Sequence, residues 1–269
     1  MKTLRAHGNN ASFIQDILSK GMYTFSFDDF IKWSRKSKTA ARAFLRRSIK
    51  NGNIICPTQG FYVIVPPEYK SIGCLPPEQF IDDLMQYLNQ RYYIGLLSAF
   101  ALYGISHQQP QTLQVITDKT RKKIACGKVK IDFMKNNSIE NIPVNRFKTP
   151  RGFIKVSTIE ASVIDMFLYP EQAGGLNNVA TILKELSSQL TTANMDKIIR
   201  LLPNLPVAQR LGYILDRILK KQKLSAPLKL FVDKKVKFNV LLVPSSNKSP
   251  SIIDKKWKVF VNANIEADI

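Results

Sequence analysis

Apolar residues recur at helical spacing near the N-terminus. Phe13, Ile14, Ile17 and Leu18 share one face, and Gly21 follows as a stop signal. In TFSFDDFIKWS, Ser26 suits an N-cap, Asp29 stands three residues on as the acid of a capping box, and Phe25 and Phe30 have hydrophobic-staple spacing. A second helix is expected from about Phe27. A turn around Arg35 to Ser37 leads into a third helix from about Lys38 to Asn51, closed by Gly52. On that helix Ala41, Phe44, Leu45 and Ile49 line one side and should pack on the first two helices. The period then changes. Ile54 to Cys56 and Phe61 to Val65 are β-prone runs joined by a turn built on Pro57, Gln59 and Gly60. Three helices and a hairpin in this order predict a winged helix-turn-helix.

The following PPEYKSIGCLPPEQF carries two proline pairs, which continue neither a helix nor a central strand. It marks a linker, with a domain boundary near residue 70. Helical patterns follow from Glu78 to Asn89. The apolar run YYIGLLSAFALYG from Tyr92 reads as a buried helix, being shorter than the roughly 20 residues of a membrane span. TLQVIT and KVKIDFM read as strands, the second alternating Val129, Ile131 and Phe133 with Lys128, Lys130 and Asp132. In STIE, Ser157 and Glu160 have capping-box spacing for a helix through Phe167, and further helical stretches are expected at 177–189, 194–202 and 206–221. VKFNVLLV and KWKVFVNA alternate with period two, placing Val236, Phe238, Val240 and Leu242, then Trp257, Val259 and Val261, on one face. The expected fold is α+β: an N-terminal winged helix-turn-helix over residues 1–70 and a larger mixed α+β domain over residues 71–269.

Charge sharpens this picture. The chain of 269 residues has a formal net charge of +20, which makes a polyanion the leading partner class. The excess is densest in residues 1–70, and the stretch SRKSKTAARAFLRRSIKNGNI contains no acid. On the third helix Lys38, Arg42 and Arg46 form one column, with Thr39, Ala43 and Arg47 in the next. Like charges at that spacing destabilise an isolated helix by a few tenths of a kcal/mol each, and a duplex would make the arrangement useful. Lys38, Thr39, Arg42 and Arg46 are the candidates for base edges in a major groove, and Arg35, Lys36, Arg47 and Lys50 for phosphates. Lys32 would also meet backbone, and Gln59 at the wing tip a neighbouring groove. A basic helical face is also what ordinary solvated surface looks like. The coincidence with a third helix followed by a wing favours double-stranded DNA, and the deep groove of A-form RNA suits such a helix poorly.

Catalytic chemistry is hard to assemble. Cys56, Cys74 and Cys126 lie far apart in sequence, and His7 and His107 stand near none of them, so neither a disulfide framework nor zinc-ligand spacing can be drawn. Cys126 with His107 makes a poor nucleophile and base. Asp132 with Glu160 would suggest a metal-dependent nuclease, but Asp132 sits on the polar side of a strand and Glu160 has a capping position. There is no GxxxxGKS, HExxH or CxxC, and the pair Gly174 and Gly175 reads as a turn. No cofactor or metal is expected. The basic clusters Arg121 to Lys123, Lys220 to Lys223 and Lys234 to Lys237 suggest surface, the last of them in a hairpin turn. The N-terminus lacks the apolar core of a signal peptide, so a reducing cytoplasm and no membrane are expected.

The stretches YYIGLLSAFALYGISHQQPQTLQVIT, KVKIDF, TPRGFIKVSTIEASVIDMFLYPEQAGGLNNVATILKEL and RLGYIL together resemble the AbiEi family of antitoxins, and GFYVIVPPEY resembles that family's N-terminal domain. The family more often carries a histidine where this chain has Tyr103. The resemblance implies a non-enzymatic antitoxin of a type IV toxin-antitoxin or abortive-infection system. It would repress its own operon by cooperative binding to inverted repeats, one winged helix to each, as a monomer or weak self-associate. The larger domain would oppose a nucleotidyltransferase-like toxin without a stable complex. Two other readings compete: the nuclease above, targeted by its winged helix, and a repressor whose second domain senses a ligand.

Overall fold

The computed structural model describes residues 10–105, 110–246 and 252–267. His7 and His107 lie outside them. By backbone packing the chain forms two compact units, one of Met1–Ile94, Gln111–Ile139 and Asn145–Val156, the other of Gly95–Pro110, Glu140–Val144 and Ser157–Ile269. Residue 70, where the prolines suggest a boundary, therefore lies inside the first unit.

The first unit opens with α1 (Asn10–Ser19), β1 (Thr24–Ser26), α2 (Phe27–Ser34), α3 (Lys38–Lys50), β2 (Ile54–Thr58) and β3 (Phe61–Ile64). The capping box at the start of α2 forms as its residue types require: the Ser26 hydroxyl accepts from the Asp29 amide while the Asp29 carboxylate accepts from the Ser26 amide. Phe25 and Phe30 meet with ring centroids 6.4 Å apart. Phe13 is the hub of this small core. Its ring stands edge-on to Phe25 at 4.9 Å and to Phe30 at 4.8 Å, with Trp33 at 4.6 Å. On α3, Ala41, Phe44, Leu45 and Ser48 are buried. Ile49, expected in that core, is 39% exposed, because the turn-to-turn drift of the helix gives the buried position to Ser48, whose hydroxyl donates to the Phe44 carbonyl.

β1, missed by the sequence pattern, pairs antiparallel with β3, so β3 is the central strand of a three-stranded sheet in the order β1-β3-β2. The β2–β3 register shifts between Ile55 and Thr58, a bulge that takes in Pro57, which has no amide to give the ladder. The proline pairs each start a single turn of tight helix, Pro67–Tyr69 and Pro77–Gln79. Then come α4 (Ile81–Tyr87), β4 (Tyr92–Ile94), β5 (Leu113–Thr117), β6 (Ile124–Cys126), β7 (Val129–Lys135), β8 (Val144–Thr149) and β9 (Gly152–Ser157). β4 to β9 build one mixed sheet in the order β6-β7-β5-β4-β9-β8. The run from Tyr92 is therefore not one helix. Its first three residues are a central strand, paired with β5 and β9, and two aromatics followed by isoleucine suit a pleated sheet buried on both faces. Gly95 ends the strand.

The second unit is mainly helical: α5 (Leu96–Leu102), α6 (Ile159–Leu168), α7 (Gly175–Leu186), α8 (Thr192–Leu201), α9 (Leu205–Tyr213) and α10 (Gln222–Lys235). Every residue of α6 from Glu160 to Phe167 is buried, as befits a helix surrounded by others. Its cap is Thr158, whose hydroxyl accepts from the Ala161 amide, and not Ser157, which ends β9 buried against Ser162. Glu160 does not close a capping box. Its carboxylate accepts from Asn194 at 2.8 Å and from Lys197 at 3.3 Å.

Past α9 the helix widens to a π-helical stretch, Ile214–Ile218. The sequence pattern places a hairpin turn at the end of α10. Lys234 and Lys235 lie in its last turn instead, and only Val240–Leu241 (β10) of VKFNVLLV is strand. Pro227 within α10 and the surrounding lysines hide this helix from a pattern reading. β11 (Ile252–Asp254) and β12 (Val259–Val261) complete a small sheet in the order β10-β12-β11. Trp257 is wholly buried, its ring where a Cβ on Gly212 would be, and its indole Nε1 donates to the Asp216 carboxylate at 2.9 Å.

Candidate nucleic-acid interface

The turn from α2 to α3 turns sharply because Arg35 adopts the left-handed region (φ 50°), its amide donating to the Ile31 carbonyl. Ser37 then caps α3, its hydroxyl accepting from the Ala40 amide. With Ala41, Phe44 and Leu45 fixed in the core, helical geometry turns the remaining positions outward. Lys38, Thr39, Arg42, Arg46, Arg47 and Lys50 are all exposed, as are Arg35 and Lys32, while Lys36 is half-buried. Among the described residues none of these bases is paired with a carboxylate. The two acids of α2 sit in its first turn, where they complement the helix dipole. The C-terminal end of α3 is held by Lys70, whose ammonium donates to the Gly52 carbonyl at 2.7 Å and to Asn53 at 2.8 Å.

The structure brings Arg42 and the wing turn together. The Arg42 guanidinium carbon lies 5.6 Å from the centre of the Phe27 ring, and the Phe27 amide donates to the Gly60 carbonyl at 2.8 Å. Tyr62 stands nearby; burial, with the Cys56 and Tyr87 groups, pushes its phenol up, and the Arg42 charge opposes that. Gln59 is exposed at the turn, but its carbonyl accepts from the Tyr87 hydroxyl at 3.1 Å, and Tyr87 also packs on Phe61 with ring centroids 5.3 Å apart. The turn is short and held from two sides, so Gln59 offers a side chain on a fixed backbone. Phe27 and Tyr87 were not legible as parts of this surface. Phe27 looks like any first-turn aromatic, and Tyr87 is distant in sequence.

The carboxylates of the nuclease reading each have another partner. Asp132 pairs with Lys123 at 2.8 Å, and Glu160 is held by Asn194 and Lys197. Among the described residues no group of three or more His, Cys, Asp or Glu could hold a metal ion. No helix among them is long and apolar enough to cross a membrane. In the second unit the Tyr103 hydroxyl donates to the Ser157 carbonyl at 2.9 Å.

Comparison with known proteins adds to this. The RV2827C protein from Mycobacterium tuberculosis has a similar fold: TM-score 0.64 at 12% identity, covering 93% of this chain and 90% of that one. No curated protein matched the chain. Residues 93–217 match the model of the AbiEi antitoxin C-terminal domain, a span that runs from the central strand β4 through the helices to the π-helical stretch. Over that span, a little under half of its length, the chain is similar to the AbiEi antitoxin C-terminal domain.

Proposed function

We propose that this chain is an antitoxin that binds inverted repeats in its own promoter through α3 and so represses its operon. Residues 1–70 act as the DNA-binding module and residues 71–269 as the part that counteracts a nucleotidyltransferase-like toxin, without a stable complex. One observation carries the DNA half: the outward face of a helix-turn-helix second helix holds Lys38, Arg42, Arg46, Arg47 and Lys50, all exposed and, among the described residues, without a carboxylate partner. An α-helix fits a major groove, and arginine can grip guanine through two hydrogen bonds. Arg35, Lys36, Arg47 and Lys50 flank that face, where phosphates would run, and Gln59 lies beyond Phe27 on the wing. A non-enzymatic role, without cofactor, is in keeping with the family and with carboxylates engaged in local pairs.

The test is a gel shift of the full chain on the DNA upstream of its own reading frame against shuffled DNA of equal length. The expected result is preference for the upstream DNA, with two bound copies at the repeats. Equal affinity for both DNAs would overturn operator recognition. Growth rescue on co-expression with a neighbouring nucleotidyltransferase-like reading frame tests the antitoxin half separately.

A further inference from the structure

All three cysteines of the chain, distant in sequence, converge within the first unit. Cys74 follows the tight turn at Pro67–Tyr69, and Cys126 ends β6. The two are brought together by glycines. Gly73 (φ +74°) and Gly127 (φ +58°) meet backbone to backbone: a Cβ on Gly127 would collide with the Ile72 carbonyl and lie 3.0 Å from the Gly73 Cα. The Lys128 amide donates to that same Ile72 carbonyl at 2.9 Å, which locks the two turns. This close backbone approach brings the residues flanking it, Cys74 on one turn and Cys126 on the other, near each other.

Their environments differ. Cys74 is wholly buried, whereas Cys126 is partly open. Interaction with Cys126, reinforced by burial, pushes the Cys74 thiol up, and the same pairing holds Cys126 below the usual thiol range against the effect of burial. A thiolate-prone, accessible sulfur beside a protonated, protected one is the arrangement of an attacking and a resolving cysteine. Cys56 is exposed in the β2 bulge, its thiol donating to the Thr58 carbonyl at 3.0 Å; burial and the Cys126 charge raise it. The three sulfurs with their neighbours do not form a group able to hold a metal.

We propose that Cys74 and Cys126 are an oxidisable pair that a peroxide converts to a reversible disulfide. The Cys126 thiolate attacks one peroxide oxygen: an S–O bond forms, the O–O bond breaks, and the departing hydroxide takes a proton to become water. Cys74 then gives its proton to the Cys126 sulfenic hydroxyl and attacks that sulfur. The S–S bond forms, the S–O bond breaks and a second water leaves. Two thiols lose two electrons and two protons, and the peroxide is reduced to two waters. A small dithiol reverses the change. The bond would tie the segment after the wing to the β6–β7 hairpin.

The experiment uses the reduced full chain and a small excess of hydrogen peroxide. Free thiols, titrated after unfolding, are expected to fall from three to one, and a non-reducing peptide map should show Cys74 joined to Cys126. Cys56→Ser should leave this bond unchanged, and Cys74→Ser should leave a sulfenic acid on Cys126 that dimedone captures. Because Cys74 is buried, the wild-type peptide map decides the matter even where that variant folds poorly. A bond that joins Cys56, within the chain or between chains, would overturn the proposal. So would three thiols surviving in the folded protein at a peroxide dose that oxidises the unfolded one.

Discussion

Arg42 and Phe27 form the joint between the proposed reading helix and the wing: the guanidinium carbon rests 5.6 Å from the ring centre, and the amide of the same phenylalanine bonds the wing turn. Arg42 is thereby positioned before any ligand arrives, which lowers the entropy cost of placing it in a groove. Lys50, at the opposite end of α3, has no such ring contact among the described residues.

This difference leads to the first prediction. Arg42→Ala should weaken binding to the upstream DNA by about 1–3 kcal/mol and relax sequence preference. Lys50→Ala should weaken binding to all sequences alike and reduce the salt slope by about one phosphate contact. Gel shifts at two salt concentrations measure both. Identical behaviour of the two variants on upstream and random DNA would remove base readout.

Arg35 holds a left-handed backbone that glycine adopts without strain. Arg35→Gly should therefore raise or leave unchanged the stability of the first unit, by up to about 1 kcal/mol, while weakening DNA binding through the lost charge. A melting temperature that holds or rises beside a weakened gel shift is expected; a loss in both would mean that the Arg35 side chain supports the fold.

Gly60 combines φ +79° with a Tyr87 hydroxyl 2.5 Å from where a Cβ would stand. Gly60→Ala should cost about 1–2 kcal/mol and speed amide exchange across β2 and β3. In a Tyr87→Phe background the steric part disappears, so the same substitution should cost less. Hydrogen-exchange mass spectrometry on the hairpin peptides compares the two.

Much of the first 65 or so residues follows from short-range pattern, since caps, staples and helical periodicity are local physics. Ser26, Asp29, Phe25 and Phe30 meet as their spacing requires. The basic face of α3 was legible for the same reason. What escaped the pattern depends on distant partners. β1 is three residues long and exists because β3 lies beside it, and Tyr92 to Ile94 is strand because β5 and β9 pair with it. Tyr87 at the wing and the meeting of Cys74 with Cys126 arise from contacts across long stretches of chain, which no period encodes.

Asp216 gives the pH prediction. Burial alone would raise its carboxyl, but hydrogen bonds from Lys256 and Trp257 and the charges of Lys256 and Arg217 hold it below the ordinary 3.8. A carboxylate depressed in the folded state contributes stability that is present above its unfolded pKa and lost as pH falls through its folded one. The second unit should therefore lose stability below about pH 4, and Asp216→Asn should flatten that decline while costing about 1–3 kcal/mol at neutral pH. Trp257 fluorescence in a Trp33→Phe background follows it. An unchanged acid transition in Asp216→Asn would sink the assignment.

The ring of Trp257 occupies the space above Gly212, and it comes from the turn between β11 and β12, close to the end of the chain. During synthesis the α1–β3 core, which closes by Ile64, is complete while most of the chain is still unmade. The helices of the second unit cannot reach their final packing until Trp257 has left the ribosome. A nascent chain would thus carry its basic helix folded well before the family domain is finished, and translation order sets which half of the molecule is ready first.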